Sequence, residues 1–428
     1  MDTKILKDQI ESSLLDGKHK MEMIHLISLI EGRIEFNLEA DISFKQEQWE
    51  TFKEPTISCC ILTYNEERCI SRCLKSVEGV FDEVVVLDSM STDKTKEIVN
   101  SHYTWVRFVE EPWKNDFSKQ RNKGIDLIHS DWVFFIDADE TLVSQNLPLK
   151  KILKMVSFLS NDQSICLCPI IKNSDDSIMY GTQRIFQKHS GLNYFGKVHE
   201  ELRILNGDTV HFLNIKSVLE HDGYQQSIVL DKEKKERNRK LIMDMIEEEP
   251  QSPKWIYLYA REIYESLSLD KLEKLLSAME DIVGSKNNKN NECLDERWQE
   301  KAVVLMCQIC IKLGNMNRLE KVLEKHTISE ECVDKEFIEL NYVLNSTRLN
   351  ILKLADNHKR KDSVANYSLI DESHSHIISM LVIGLYQMGE IESAFEKLSK
   401  LKGVYRSNCL KYIEGQVNRS IKQLQNQY

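Results

Sequence analysis

The most constraining feature of the sequence is a series of short apolar segments before residue 138, each followed by an amphipathic one. The apolar segments are "TISCCILTYN" (56–65), "DEVVVLD" (82–88), "WVRFVE" (105–110) and "WVFFID" (132–137). They are rich in β-branched and aromatic residues and have the length of strands. The segments between them carry apolar residues at three- and four-residue intervals, as helices do. Continuously apolar strands that alternate with helices predict an α/β fold with a parallel sheet covered on both faces.

Polar side chains stand where these predicted strands end: Tyr64, Glu66, Asp88, Asp137 and Asp139. Ligands of open parallel sheets bind beyond the carboxyl ends of the strands, so these side chains are expected in one crevice. A carboxylate pair spaced i, i+2 can hold Mg²⁺ or Mn²⁺ there together with phosphate oxygens. A solvated exit from the strand is the alternative for Asp137 and Asp139. It does not account for Glu66 and Asp88 at neighbouring strand ends.

Composition narrows the class of protein. The chain has 428 residues, of which 41% are hydrophobic and 29% charged, as in soluble globular proteins. Its 57 Lys and Arg against 68 Asp and Glu give a net charge of -11, so no nucleic-acid partner is expected, because phosphate binding needs a basic face. The N-terminus has scattered charges in place of the apolar block of a signal peptide. No apolar stretch reaches the roughly 18 to 20 residues of a spanning helix, and a cytoplasmic protein without a membrane span is predicted.

Three domains are predicted along the chain. Residues 1–52 form an N-terminal helical segment, because "IHLISLIEGRIEFNL" (24–38) has apolar residues at helical intervals. Residues 53–230 form the α/β domain. Residues 231–428 contain stretches of helix, short break and helix, similar to tetratricopeptide hairpins, which predict an all-α helical-repeat domain. A plain helical bundle is the alternative for this last region.

A series of motifs in the α/β region resembles the nucleotide-sugar glycosyltransferases of GT-A family 2. The motifs are "TYNEE" (63–67), "VVVLDSMSTDKT" (84–95), "DFSKQRN" (116–122), "FFIDADE" (134–140), "QRIFQ" (183–187), "GKVHEE" (196–201) and "EHDGY" (220–224). With both flanks included, the chain resembles the sublancin-type glycosyltransferases more narrowly. Those enzymes attach a sugar from UDP-glucose to a cysteine, or in some members a serine, of a bacteriocin precursor peptide. The resemblance therefore implies a GT-A domain, a UDP-sugar donor, a divalent metal ion and a peptide acceptor.

The resemblance also implies roles for residues that would bind the donor. Tyr64 would face the uracil, Asp88 would hydrogen-bond the uracil or the ribose, and Glu66 would support the base-binding turn. Arg121 is suited to the pyrophosphate or the base edge, because a guanidinium group makes bidentate contacts. The alternative for Arg121 is an ion pair on the helix surface, with Asp126 or Glu140.

Metal binding and catalysis are assigned in the same way. Asp137 and Asp139 would anchor the cation, with Asp139 the more direct ligand and Asp137 also bridging to the ribose. His221 is the expected third ligand, and His199 is the other candidate. Glu200 or His199 would be the base that takes the proton of the acceptor. A single displacement at the anomeric carbon predicts inversion of its configuration.

Other functions remain open at this stage. A family 2 transferase that acts on a cell-envelope lipid or on a lipopolysaccharide core would need a membrane-facing surface, for which "KEKKERNRK" (232–240) is the candidate and a solvated helix face the alternative. An interaction scaffold with an inactive nucleotide fold is a second possibility. A processive polysaccharide synthase is disfavoured, because Arg297 and Trp298 lack the glutamine of a Q-x-x-R-W motif. The helical tail is expected to support a homodimer and to help hold the peptide.

Overall fold

The computed structural model describes residues 8, 10–11, 17–31, 46–143, 146–159, 164–204, 210–222, 228–284, 292–330, 332–360 and 375–425. The chain divides into two compact units. The first comprises Met1–Glu262 with Lys286–Glu296, and the second comprises Ile263–Ser285 with Arg297–Tyr428. The family-based boundaries after residues 52 and 230 stay predictions.

The first unit alternates strands and helices over most of its length. Its first half contains α1 (Gly17–Ser28), β1 (Ile30–Glu31), α2 (Gln46–Thr51), β2 (Ile57–Thr63), α3 (Ile70–Val77), β3 (Glu83–Asp88), α4 (Thr95–His102), β4 (Arg107–Glu110), α5 (Phe117–Leu127) and β5 (Trp132–Asp137). Its second half contains β6 (Glu140–Leu142), α6 (Leu149–Leu159), β7 (Ile165–Asn173), β8 (Ile178–Met179), β9 (Ile185–Gln187), β10 (Leu192–Phe195), β11 (Glu201–Ile204), β12 (His211–His221), α7 (Ile228–Glu248) and α8 (Pro253–Ile263). Each strand predicted between residues 56 and 137 is confirmed.

Ten of these strands form one sheet in the order β1-β12-β7-β9-β5-β2-β3-β4, with β6 paired to β12 and β8 to β7. The four strands β5, β2, β3 and β4, at one end of this order, are parallel, as the sequence predicted, and their carboxyl ends share one edge. Beyond β5 the sheet is mixed, because β9 runs antiparallel to both β5 and β7. No helix separates β7, β8 and β9 in the chain, and a parallel pair needs such a crossover. The strands β10 and β11 form a separate antiparallel pair.

The N-terminal segment contributes a strand to this sheet as well as helices. Ile30 pairs with Ile215 of β12, and the backbone N–H of Lys216 donates to the carbonyl of Leu29 at 2.9 Å. The prediction of a helix that continues through residues 30–31 is therefore wrong. Pairing with β12 satisfies backbone groups at the edge of the sheet, and this tertiary contact overrides the helical spacing of the apolar residues.

Both faces of the central sheet are buried, which explains why its strands are apolar throughout. Cys59 and Ile61 of β2 face a core formed with the helices α1, α3 and α6. Cys60 of β2 and Phe135 of β5 face the other core, which includes residues of α5, β10 and β11. Successive strand residues point to opposite faces, so both sets must be apolar.

Helix α5 approaches the sheet closely at Gly124. A Cβ atom on this glycine would lie 2.6 Å from Sγ of Cys60 and 3.1 Å from Cε1 of Phe135. Only a residue without a side chain allows this separation between helix and sheet. Because Arg121 lies one turn earlier on α5, the same contact sets how close Arg121 comes to the ends of the strands.

The second unit is helical in its described residues. After a short 3-10 helix (Tyr264–Ser266) it contains α9 (Leu269–Val283), α10 (Glu292–Lys312, whose first residues belong to the first unit), α11 (Met316–Lys325), α12 (Val333–Arg360), α13 (Ser375–Gln387), α14 (Ile391–Lys400) and α15 (Gly403–Gln425). The pair α13 and α14 confirms one of the stretches of helix, short break and helix predicted in residues 231–428. The assignment to tetratricopeptide-like repeats stays a prediction. Among the helices that the structure describes, none is long and apolar enough to cross a membrane.

Substitutions at the contact between α5 and the sheet test its tightness. We expect Gly124→Ala to lower the free energy of unfolding by about 1–3 kcal/mol, because the new methyl group collides with Cys60 and Phe135. Cys60→Ala alone leaves a small cavity and costs about 1 kcal/mol. The double variant should lose less than the sum of the two by about 1 kcal/mol, because removing Sγ makes room for the methyl group. Urea denaturation followed by circular dichroism measures all three.

Gly415→Ala is the matched control, because a Cβ atom at this position in α15 has no heavy atom within 4 Å. It should leave stability unchanged or raise it by up to about 1 kcal/mol. Strictly additive losses for Gly124→Ala and Cys60→Ala would show that Cys60 does not limit the approach of the helix.

Candidate active site

The loops that follow β2 and β3 are joined by hydrogen bonds between side chains and backbone. The backbone N–H of Asn65 donates to Oγ of Ser91 at 2.8 Å, and the N–H of Thr92 donates to Oδ1 of Asn65 at 2.8 Å. The N–H of Glu66 donates to Oγ1 of Thr95 at 2.8 Å. Asn65 has a φ of 55°, in the left-handed region that asparagine tolerates better than most residues. These bonds bring together two of the predicted strand-end loops.

Three predicted donor-binding residues lie in these loops. Tyr64 is 56% exposed. Asp88 is fully buried, and its carboxylate accepts from the N–H of Ser91 at 2.7 Å and from its hydroxyl at 2.5 Å. Glu66 accepts from Sγ of Cys69 at 2.8 Å, and burial raises the pKa of the Glu66 carboxyl above its ordinary value. Their contacts with a nucleotide stay predictions.

A cluster of five charged side chains lies at the carboxyl end of β5. The Asp137 side chain is 35% exposed, and the other four are largely buried. Asp137 accepts from Nη1 and Nη2 of Arg184 at 3.0 and 2.5 Å and from Nη2 of Arg121 at 3.1 Å. Glu140 accepts from Nη2 of Arg184 at 3.1 Å and from the backbone N–H of Asp137 at 2.8 Å. Glu200 accepts from Nε of Arg121 at 2.5 Å. Three carboxylates therefore face two guanidinium groups.

The pKa values of Asp137 and Glu140 are shifted in opposite directions within the cluster. Burial opposes ionisation of Asp137, but the guanidinium groups of Arg184 and Arg121 outweigh it and hold the pKa of Asp137 well below its usual range. Burial dominates at Glu140 and raises its pKa to about 7. Asp137 is therefore firmly ionised, with both of its oxygens bound by arginines.

Arg121 occupies this cluster and not the surface of its helix. Its ion-pair partners are Asp137 and Glu200 rather than Asp126 or Glu140, and the guanidinium carbon lies 5.4 Å from the ring centre of Phe135. The cluster also contains Arg184 and Glu140, for which no part in donor binding, metal binding or catalysis was predicted. The signal for Arg184 was the motif "QRIFQ", whose arginine precedes β9.

Asp139 and His221 come together although 82 positions separate them in the chain. Nε2 of His221 lies 3.1 Å from Oδ2 of Asp139, and Nδ1 lies 3.2 Å from Oδ1 of Asn173. The hydrogen bond to Asp139 raises the pKa of His221. The backbone supports the pair, since the N–H of Asp222 donates to the carbonyl of Asp139 at 3.1 Å. His221 also lines an open cavity of about 340 Å³.

This pair fits two ligands of one divalent ion. Adjacent ligands of an octahedral ion with bonds of about 2.1 Å lie about 3.0 Å apart, close to the 3.1 Å between Asp139 and His221. Asp137 fits less well, because Arg184 and Arg121 occupy its carboxylate. Within the described ranges, no group of three or more His, Cys, Asp or Glu side chains is arranged to hold a metal. The metal site stays a prediction, and Asp139 with His221 is the part that the geometry favours.

The two candidate bases lie in the turn between β10 and β11. His199 has a φ of 51°, which is uncommon for a residue other than glycine. Desolvation and the charge of the nearby Arg261 lower the pKa of His199, although the residue is exposed to solvent. The Glu200 side chain is only 13% exposed and points to Arg121. Of the two, Glu200 therefore lies in the charged cluster.

Removing one arginine of the cluster should reveal how far its charges depend on one another. Arg184 and Glu140 have side chains that are 7% and 3% exposed. We expect Arg184→Met to lower the free energy of unfolding by about 3 kcal/mol, because it leaves buried carboxylates without a partner. Adding Glu140→Gln should cost nothing further and recover at most about 1 kcal/mol, because the pKa of Glu140 is already about 7 and its carboxyl takes up a proton once Arg184 is gone. Denaturant unfolding at neutral pH measures both variants.

The control is Lys150→Met. It removes a more exposed ion pair, in which Nζ of Lys150 lies 2.5 Å from Oδ1 of Asp82. It should cost less than about 1 kcal/mol. A double variant less stable than Arg184→Met would contradict the assignment of Glu140 as a charge that needs Arg184.

Comparisons with known proteins identify similar sequences and structures. The sequence model of the family "Glycosyl transferase family 2" matches residues 58–223. The SPbeta prophage-derived glycosyltransferase SunS of Bacillus subtilis (strain 168) is 29% identical over 390 residues, which cover 90% of this chain and 89% of SunS. The lipopolysaccharide core biosynthesis glycosyltransferase LpsC of Rhizobium meliloti is 37% identical over 89 residues, or 20% of this chain and 32% of LpsC.

Among solved structures, S. aureus TarS 1-349 in complex with UDP-GlcNAc is 15% identical with a TM-score of 0.36, and the match covers 74% of this chain and 95% of TarS 1-349. The resemblance found in the sequence is confirmed by the family model and by SunS. Residues 58–223 therefore form a glycosyl transferase family 2 domain, and the protein is a glycosyltransferase similar to SunS over nine-tenths of its length.

Proposed function

We propose that the protein transfers a hexose, for which we propose glucose, from a UDP-sugar to a cysteine or serine side chain of a bacteriocin precursor peptide in the cytoplasm. The support for the peptide acceptor is the resemblance to sublancin-type glycosyltransferases, which extends over both flanks of the family domain. The structural observation that carries the chemistry is the position of Glu200, 2.5 Å from Arg121 in the cluster at the end of β5. The proposed base Glu200 and the cationic Arg121 therefore lie next to Asp137, at the end of a strand of the proposed nucleotide site.

The donor is proposed to bind over the joined loops after β2 and β3. Tyr64 is exposed there and offers an aromatic face to the uracil. Asp88 is held by Ser91, and in the proposal it hydrogen-bonds the uracil or the ribose. Asp137 is oriented by two arginines and would accept from a ribose hydroxyl. Arg121 would face the diphosphate or the base edge.

Asp139 and His221 are the residues proposed to hold Mg²⁺ or Mn²⁺. When bound there, the ion offsets the negative charge that develops on the leaving diphosphate. Asn173 fixes the ring of His221 through Nδ1, which leaves Nε2 directed toward Asp139. Partners of this kind orient the imidazole of metal ligands.

Glu200 is the proposed base. Glu200 is preferred to His199, the other candidate, because its carboxylate lies in the charged cluster and accepts from Arg121. In the proposed step the acceptor sulfur or oxygen forms a bond to the anomeric carbon, the bond from that carbon to the diphosphate breaks, and UDP leaves with the electron pair. The acceptor proton passes to the Glu200 carboxylate. Attack opposite the leaving group inverts the anomeric centre.

A second acceptor class is favoured by two observations. The match to LpsC, whose name refers to lipopolysaccharide core biosynthesis, includes 89 residues. In α7, residues 234–240 of the basic run are mostly exposed, so this face is available to an anionic surface. A lipid or glycan acceptor is therefore the alternative that the assay must separate from a peptide.

The test is intact-mass spectrometry of a Cys- and Ser-containing precursor peptide incubated with the protein, Mg²⁺ or Mn²⁺ and single UDP-sugars. We expect the mass of one hexose to be added to the peptide. Asp139→Ala, His221→Ala and chelation by EDTA should each reduce the product by about 100-fold or more, because the leaving diphosphate loses its counter-charge. Fragmentation then locates the sugar on Cys or Ser.

Asp126→Ala serves as the control, because Asp126 is an exposed carboxylate on the same helix as Arg121. It should leave the yield unchanged. UDP-sugar hydrolysis without peptide modification would refute the peptide acceptor and favour a lipid or glycan. The absence of any UDP-sugar turnover would refute the proposed donor.

We also propose that the tail supports a homodimer. Along α12, Val333, Phe337, Leu340 and Leu344 are 80%, 53%, 63% and 60% exposed, with spacings of four, three and four residues. These spacings place the four side chains on one face of the helix, and such a face suits packing against a second copy of itself. Sedimentation velocity should give twice the chain mass for the native protein and a single chain for Leu340→Glu/Leu344→Glu. Glu336→Gln, a polar change on the same helix, is the control, and a native monomer would refute the proposal.

A further inference from the structure

The turn that carries Glu200 has an uncommon backbone. Gly196 has a φ of 107°, and His199 has a φ of 51°. A residue other than glycine persists in the left-handed region only where its surroundings hold it there. The contacts of residues 196–201 therefore decide where the Glu200 carboxylate points.

The first contact is with Trp255, in the first turn of α8. A Cβ atom on Gly196 would lie 2.8 Å from Cη2 of this indole, so the backbone of the turn rests directly on the ring. Trp255 is fully buried, and its Nε1 donates to Oε2 of Glu249 at 2.8 Å. The ring is thus fixed both by packing and by a hydrogen bond.

The second contact involves Lys254, the neighbour of Trp255. Nζ of Lys254 lies 2.9 Å from Oε2 of Glu201, and the two side chains are 1% and 6% exposed. Arg203 forms ion pairs with the carboxylates that Lys254 and Trp255 contact, at 2.8 Å from Glu201 and 2.7 Å from Glu249. Such a buried ion pair fixes geometry more than it adds stability.

The opposite side of the turn is bound to α5. The N–H of Phe117, the first residue of α5, donates to the carbonyl of Lys197 at 2.9 Å. Arg121 of the same helix donates to Glu200 at 2.5 Å. The side chains of the adjacent residues Glu200 and Glu201 therefore make different contacts. Glu200 binds Arg121 in the charged cluster, and Glu201 binds Lys254 of α8.

We propose that Lys254 and Trp255 are positioning residues for sugar transfer, which act through Glu201 and Gly196 to hold the Glu200 carboxylate in place. The proposal rests on the proposed function, in which Glu200 is the base. It assigns a role to the "PKW" segment at the start of α8, which neither the donor site nor the metal site uses. Both residues belong to α8 and not to the loops proposed to bind the nucleotide, so they should affect the reaction step and not donor binding.

The test compares Lys254→Met with the native protein in steady-state kinetics of peptide glycosylation and in calorimetric titration with UDP. We expect kcat to fall by about 10- to 100-fold, because a small displacement of a catalytic group has effects of this size. KM for the UDP-sugar and Kd for UDP should stay within about threefold. Lys254→Arg keeps the charge and should recover part of kcat.

The double variant Lys254→Met/Glu201→Gln separates positioning from folding. It leaves no unpaired buried charge, so its Tm should recover toward the native value while kcat stays low. Recovery of kcat together with Tm would overturn the proposal, and so would a native kcat in Lys254→Met. If Lys254→Met does not fold, Trp255→Phe provides the test, because it removes the Nε1 donor and the outer ring that supports Gly196. It should lower kcat in the same way, and a native kcat would again overturn the proposal.

Lys151→Met is the control, since it removes an ion pair of 2.6 Å with Glu22 on the outer helices of the same unit. It should leave kcat and KM unchanged. Failure of the native protein to glycosylate the peptide would count against the proposed function. A native protein that transfers sugar, with Lys254→Met equally active, would count against the positioning role alone.

Discussion

The structure of the site depends on how the negative charge of Asp137 is neutralised by two arginines. Asp137 ends the central strand β5, and two guanidinium groups bind it from other parts of the chain, Arg121 from α5 and Arg184 from the start of β9. Glu140 and Glu200 complete the set. Four segments that are distant in sequence are thereby tied to the carboxyl edge of the sheet. Because charges buried in this way need their partners, the cluster also constrains the turn that follows β10 and the antiparallel course of β9.

Asp137 and Asp139, the i, i+2 pair of aspartates, have different partners. Asp137 turns toward the arginines, whereas Asp139 turns toward His221. The first is neutralised within the protein, and the second, among the residues that the structure describes, is paired only with an imidazole. An incoming cation therefore meets one carboxylate that is already compensated and one that is available. This asymmetry gives a physical reason for the weaker fit of Asp137 as a direct metal ligand.

Much of the fold could be predicted from the sequence, because β2, β3, β4 and β5 are continuous apolar runs and their polar ends show which edge binds a ligand. Contacts between side chains that depend on tertiary strand pairing could not be predicted. Arg184 meets Asp137 only because β9 inserts antiparallel beside β5, and three residues of strand carry no signal of direction. The strand at residues 30–31 exists because β12 offers an edge to pair with. Of the site, the strand-end carboxylates and His221 were identifiable from their motifs, whereas the roles of Arg184 and Glu140 required the packed structure.

The joined loops after β2 and β3 affect how a ligand would be bound. Asn65, Ser91, Thr92 and Thr95 connect these loops with hydrogen bonds made entirely within the protein. Loops of this kind do not need a nucleotide to order them, so association loses little conformational entropy at this end of the molecule. Recognition of the base would then resemble the fitting of a rigid surface more than folding on contact. A weak ligand fragment, such as the free nucleoside, could still select this surface without help from the sugar or the acceptor.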